Sequence, residues 1–238
     1  MSECPDALFP SSNPEGIPDL LKSMEADFVD VPIPWGSVRR YGGSGYQGRT
    51  ISFYVSDERF AALGNAVEYG SHFRQLWERC DAIWKSGAPS FCEVNFSTSN
   101  ALPRAHALWQ IYKKRYLSRY FQKRGMRCFA DLNVSSKWQE LNLLGVPLGY
   151  RAFSTKIHRS TSLQELTDQA AYAESIRGSD DLLFLVVANR SEVESLCKKC
   201  GWVYVDEGKS AVWSKRQSNK TRSLQAEKPR IQSSLFNI

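Results

Sequence analysis

Apolar positions along this chain fall into two periods. Short runs rich in β-branched and aromatic residues predict strands at Ile51–Val55 (ISFYV), Phe91–Phe96 (FCEVNF), Met126–Val134 (MRCFADLNV), Gly149–Ile157 (GYRAFSTKI), Leu182–Ala188 (LLFLVVA) and Trp202–Gly208 (WVYVDEG). Between them the apolar spacing lengthens to that of helices. Residues 57–86 read as helical in pieces, and Pro103–Arg124 as one long helix stopped by Gly125. Ser162–Ile176 is headed by Ser162 with Glu165 three residues on, a capping box, and Ser191–Lys199 is closed by Gly201. Strand–helix alternation of this kind predicts an α/β fold. We expect a single domain with a largely parallel or mixed sheet flanked by helices, barrel-like in one arrangement. The unbroken apolar run 182–188 calls for cover on both faces of the sheet.

The flanks differ from this body. Residues 1–34 hold Pro5, Pro10, Pro14, Pro18, Pro32 and Pro34 and read as an extended acidic arm with a short helix at Asp19–Glu25. The α/β domain is placed at 35–213. Residues 214–238 are polar, basic and poor in apolar side chains, as expected of a flexible tail.

Composition adds little until the charge is divided. At 238 residues, 42% hydrophobic and 24% charged, the chain is long enough for one sizeable core. Its net charge is +6, of which residues 214–238 carry +5: six bases against Glu227. The first thirty residues carry seven acids against Lys22, and Val94–Ala130 holds eight bases and no acid. Basic clusters beside aromatics point to a polyanion, with DNA as the expected partner. No apolar run approaches the ~18–20 residues that span a bilayer, so no membrane association is expected. The start lacks the pattern of a secretory signal, and six cysteines fit reduced thiols in a cytoplasm.

Two segments carry candidate chemistry. In the helix 103–124, Lys113, Lys114, Arg115, Arg119, Lys123 and Arg124 are candidate phosphate contacts, joined by Arg39, Arg40 and Arg49 around the Gly-rich turn 42–48. Tyr112 and Tyr116 stand four apart, as paired nucleophiles of rolling-circle nickases do. On that reading Glu93 and Asp131 from the flanking strands would hold a divalent metal, the sole cofactor expected. The alternatives are aromatic core positions on a half-buried helix, and a non-nucleic-acid α/β enzyme with its site at strand ends Asn95, Asp131 and Asp206. Cys197-x-x-Cys200 has no second ligand pair, so no structural zinc is expected.

The second segment is the C-terminus, Gln232-Ser-Ser-Leu235-Phe236. It resembles the peptide by which bacterial replication proteins bind the sliding clamp, the DNA polymerase III beta subunit. Leu235 and Phe236 would fill an apolar pocket and Gln232 would supply a directional hydrogen bond.

Tyr41–Phe60, Val94–Ser97, Pro103–Gly125 and Trp138 together resemble a family of bacterial, phage and plasmid proteins catalogued as a domain of unknown function. The resemblance covers about residues 35–190 and implies carriage on mobile elements without an established chemistry. Where that family has an acid before Phe-Ser, this chain has Asn95. Taken together, the sequence points to a DNA-binding replication initiator of a plasmid or phage that recruits the clamp. A tyrosine-dependent nickase is the alternative.

Overall fold

The computed structural model describes residues 9–27, 32–34, 46–55, 61–69, 74–178 and 181–206. The strands are β1 (Ile33–Pro34), β2 (Thr50–Ser52), β3 (Ser90–Cys92), β4 (Arg127–Asp131), β5 (Ala152–Lys156), β6 (Leu183–Ala188) and β7 (Val203–Asp206). The α-helices among the described residues are α1 (Ala61–Tyr69), α2 (Arg74–Trp84), α3 (Arg104–Lys123), α4 (Gln139–Asn142), α5 (Leu163–Arg177) and α6 (Ser191–Cys200).

The strands form one sheet in sequence order, β1 to β7, and every pair is parallel. Each strand lies beside its predecessor, so the winding never reverses. Such a sheet curls towards a barrel, and here it is a half-barrel flanked by the helices. The α/β expectation therefore holds, and the sheet is parallel throughout.

Local signals explain the elements. Pro103, which cannot donate a backbone hydrogen bond, is the N-cap of α3, and Gly125 follows the helix with φ +89°. The capping box of α5 forms as predicted, Ser162 accepting from the Glu165 amide and Glu165 from that of Ser162. Gly201, at φ +73°, closes α6.

Alternate residues of β4 serve two cores. Cys128 and its register partner Phe91 pack with Trp77, Leu117 and Phe121 from α2 and α3. Phe129 and its partner Cys92 pack with Tyr150, Leu166 and Val193 on the side of α5 and α6. β4 is thus the seam between two apolar halves.

The acidic start differs from the expectation. Asp19–Glu25 forms no α-helix; a single 3-10 turn occupies Lys22–Met24. The segment is held by the body instead. Ala26 donates to the Cys128 carbonyl and Leu20 to that of Gly145, while Glu15, Glu25 and Asp27 pair with Arg104, Arg151 and Arg127. Gly145 (φ +77°) permits this approach, since a Cβ there would stand 2.2 Å from the Pro18 carbonyl oxygen. The proposed clamp peptide (Gln232, Leu235, Phe236), the tail, and Arg39 and Arg40 all lie outside the described residues.

Candidate active site

Three strands leave the ladder earlier than their apolar pattern suggests. Ladder pairing stops at Ser52, Cys92 and Asp131, although β propensity continues to Val55, Phe96 and Val134. The residues just beyond turn their polar groups to one another at the carboxyl ends of the strands, the usual location of ligand sites in parallel sheets.

Asp131 is the centre, fully buried. Its Oδ1 accepts from the Tyr54 hydroxyl at 2.9 Å and from the Asn133 amide at 2.9 Å. Its Oδ2 accepts from Asn95 Nδ2 at 2.8 Å and from Lys114 Nζ at 3.0 Å. Four donors converge on it, so both oxygens are satisfied. Lys114 Nζ and Asn142 Nδ2 also donate to the Asp131 carbonyl, at 3.1 and 2.8 Å. A second ion pair lies alongside. Glu93 Oε2 accepts from Arg115 and, at 2.9 Å, from the Asp131 amide. Arg115 donates further to the carbonyls of Asn142 and Leu144. The Tyr54 hydroxyl also lies 2.9 Å from Ser154 Oγ on β5. Burial, and next the charge of Asp131, push the Tyr54 phenol well above its usual range, so it remains a donor.

Above this layer the site opens to solvent. Asn95 bridges the Asp131 carboxylate and the Asn133 carbonyl (2.6 Å), and Lys156 Nζ donates to the Tyr54 carbonyl at 3.3 Å. A cavity of about 840 Å³ runs between the loops after β3 to β5 and α5; one of about 400 Å³ adjoins it over Tyr54 and Lys156. Asn95, Ser97, Asn133 and His158 line both, which makes them two lobes of one cleft.

The positions predicted from sequence are redistributed. Glu93, Asn95 and Asp131 are brought together. Asp206 ends β7, with β5 and β6 between it and β4. Tyr116 is buried against Trp77 and Phe9, and Tyr112 stacks on Trp109. A residue two positions from Lys114 lies about 200° round the helix, so both tyrosines face away from the Lys114–Asp131 pair. The pairing of Tyr112 and Tyr116 with Asp131 is therefore not assembled.

The phosphate contacts need correction as well. Lys114 and Arg115 are 2% and 0% exposed and committed to carboxylates, so a phosphate in solvent cannot reach them. Arg119, 9% exposed, lies over the Phe9 ring, and burial lowers its pKa. Arg124 is half-buried over Trp84 and Tyr120, Lys113 packs over Phe96 and Trp109, and Arg49 is half-buried. Only Lys123 of the named helix bases is exposed. Among the described residues, no group of three His, Cys, Asp or Glu is placed to hold a metal, and no helix is long and apolar enough to cross a membrane.

Sequence reasoning missed Tyr54, Asn133, Ser154, Lys156 and His158, and it misassigned Lys114 and Arg115. A signal was available: polar residues two apart where apolar strands end, in Glu93-x-Asn95-x-Ser97, Asp131-x-Asn133-x-Ser135 and Ser154-x-Lys156-x-His158. Period two places each set on one face of its strand.

Comparison with known proteins finds partial similarity to two phage proteins. It is similar to the Gene 1 protein of Mycobacterium phage D29, 28% identical over 119 residues, which is 50% of this chain and 39% of that protein. It is similar also to the Gene 1 protein of Mycobacterium phage L5, 27% identical over 119 residues, covering 46% of that protein. The chain thus spans less than half the length of these relatives. No family model matches it. No solved structure matches it.

Proposed function

We propose that this protein is an α/β half-barrel enzyme that binds a polar ligand in the cleft at the carboxyl ends of β2 to β5 and acts on it by acid–base chemistry. The observation that carries this reading is the pair of buried ion pairs, Lys114–Asp131 and Arg115–Glu93, beneath an open polar cleft. Desolvating four charges is expensive, and a core packed only for stability does better with apolar side chains. Fixed charges under a pocket instead hold functional groups in place. Here they fix Asn95 and Tyr54, whose neighbours Lys156 and His158 line the cleft. Asp131, with every acceptor site filled, is a positioning residue. Lys156, His158, Glu165 and Asp168 line the cleft and are of the residue types that exchange a proton with a ligand.

The test is a thermal-shift screen of polar metabolites against the full chain and its Ser97→Trp variant. Ser97 is exposed and shared by both lobes, so tryptophan there blocks the cleft without entering the core. A ligand that stabilises the parent and fails to stabilise the variant supports the reading. Ligands that stabilise both equally sink it.

The second reading is a DNA-binding replication protein of a plasmid or phage that recruits the sliding clamp. What favours it is the +5 charge of residues 214–238, the Gln232-Ser-Ser-Leu-Phe string, and the phage origin of both relatives. The two readings are compatible if the cleft acts on a nucleic-acid moiety. Removal of residues 231–238 should leave DNA binding intact and abolish capture of purified clamp; a truncated protein that still captures it overturns the peptide assignment.

A further inference from the structure

The two lobes of the cleft differ in chemistry, and the difference names a ligand. The wide lobe is lined by hydroxyl and amide side chains and by the acids Glu165 and Asp168, with no lysine or arginine among its described lining residues. Gln139 at its wall is 3% exposed. Its Nε2 donates to the carbonyls of Leu132 and Val134, at 2.9 and 3.0 Å, while its Oε1 has no partner. A buried acceptor left open is costly unless a donor completes it. The wide lobe therefore suits a neutral group rich in N–H and O–H donors. Its aromatic members, Tyr172 and His158, suit a planar ring. The narrow lobe differs: Lys156 is the cation among its described lining residues, with His158 beside it and no acid among those residues. Volumes of about 840 and 400 Å³ accommodate a nucleoside and a phosphate respectively.

We infer that the cleft is a nucleoside monophosphate site, with base and sugar in the wide lobe against Gln139 and Tyr172 and the phosphate in the narrow lobe at Lys156. This rests on the cleft being the ligand site proposed above. The same moiety occurs as a free nucleotide and at the phosphorylated end of a strand.

The test is calorimetric titration of the full chain with the four nucleoside 5′-monophosphates, their nucleosides, ribose 5-phosphate, inorganic phosphate and a 5′-phosphorylated tetranucleotide. At least one monophosphate should bind more tightly than its nucleoside and than ribose 5-phosphate. Lys156→Met should weaken that monophosphate by about tenfold or more and leave the nucleoside unchanged, whereas Lys156→Arg should retain it. Tyr172→Ala, on the exposed side of α5, should weaken nucleotide and nucleoside alike. Tighter binding of the tetranucleotide than of any free monophosphate assigns the moiety to a strand end; weaker binding assigns it to the free nucleotide. Equal affinity for nucleoside and monophosphate, or an unchanged monophosphate affinity in Lys156→Met, overturns the inference. Ribose 5-phosphate bound best, and lost in Ser97→Trp, overturns the ligand class and leaves the cleft as the site. No binding by any probe, together with a metabolite screen that Ser97→Trp leaves unaltered, overturns both.

Discussion

Replacing Asn95 by aspartate tests the site's electrostatics directly. Asn95 Nδ2 lies 2.8 Å from Asp131 Oδ2 and 2.6 Å from the Asn133 carbonyl oxygen. Asn95→Asp turns this shared donor into an oxygen facing two acceptors. If both carboxyls were ionised at that separation, their repulsion would be about 6 kcal/mol at an effective dielectric of about 20. Taking up a proton is cheaper: holding a carboxyl of ordinary pKa protonated at pH 7 requires about 4 kcal/mol. The pair therefore shares one proton, which restores one of the two hydrogen bonds and leaves the other, worth about 1 kcal/mol, unmade. The expected destabilisation is about 5 kcal/mol at pH 7, falling to about 2–3 kcal/mol at pH 5, because each unit of pH changes the protonation term by about 1.4 kcal/mol. The sign follows from the raised folded-state pKa of the new pair: its deficit is least at low pH and grows as pH rises. Urea unfolding of variant and parent, followed by tryptophan fluorescence at both pH values, measures the difference. A variant as stable as the parent at pH 7, or a deficit that does not shrink at pH 5, would refute the reasoning.

Three further outcomes are expected. Lys114→Met strands the buried Asp131 carboxylate and should remove about 3–5 kcal/mol, read from chemical denaturation; a loss under about 1 kcal/mol would mean that the ion pair is not closed to water as described. Gly145→Ala places a Cβ against the Pro18 carbonyl at positive φ and should destabilise by more than about 1–2 kcal/mol, with faster proteolysis within residues 9–27 as a separate readout. Burial pushes the Cys92 thiol up to about 12 and that of Cys128 well above its usual range, so at pH 8 both are protonated and shielded. In the folded protein exposed Cys200 should alkylate far faster than either, and mass spectrometry of labelled peptides decides it.

The architecture was legible because its signals are local. Alternation of β-branched runs with helical spacing named the strands and helices, and Pro103, Gly125, Ser162 and Gly201 marked ends that the structure keeps. The site was half legible. Glu93, Asn95 and Asp131 stood out as polar residues at strand ends, but their partners come from α3 and β5, and no local rule states which helix face turns inward. Lys114 and Arg115 look like neighbours of Lys113 in one basic patch. Yet adjacent helical positions differ by about 100°, enough to send two inward while Lys113 packs over Phe96 and Trp109. Charge counting cannot distinguish a solvated base from one enclosed by carboxylates. The acidic start was read as an extended arm, and its partners were not legible for the same reason: its acids pair with bases distant in sequence.

The position of β4 between the two apolar halves bears on how the protein fails. Asn95 and Lys114 come from the β3–α3 side and Ser154 and Lys156 from β5; Asp131 accepts from the first two, and Tyr54 links it to the others. Slight parting of the halves lengthens these contacts before either interior admits water. Warming should therefore silence ligand capture some degrees below the temperature at which the fold itself is lost.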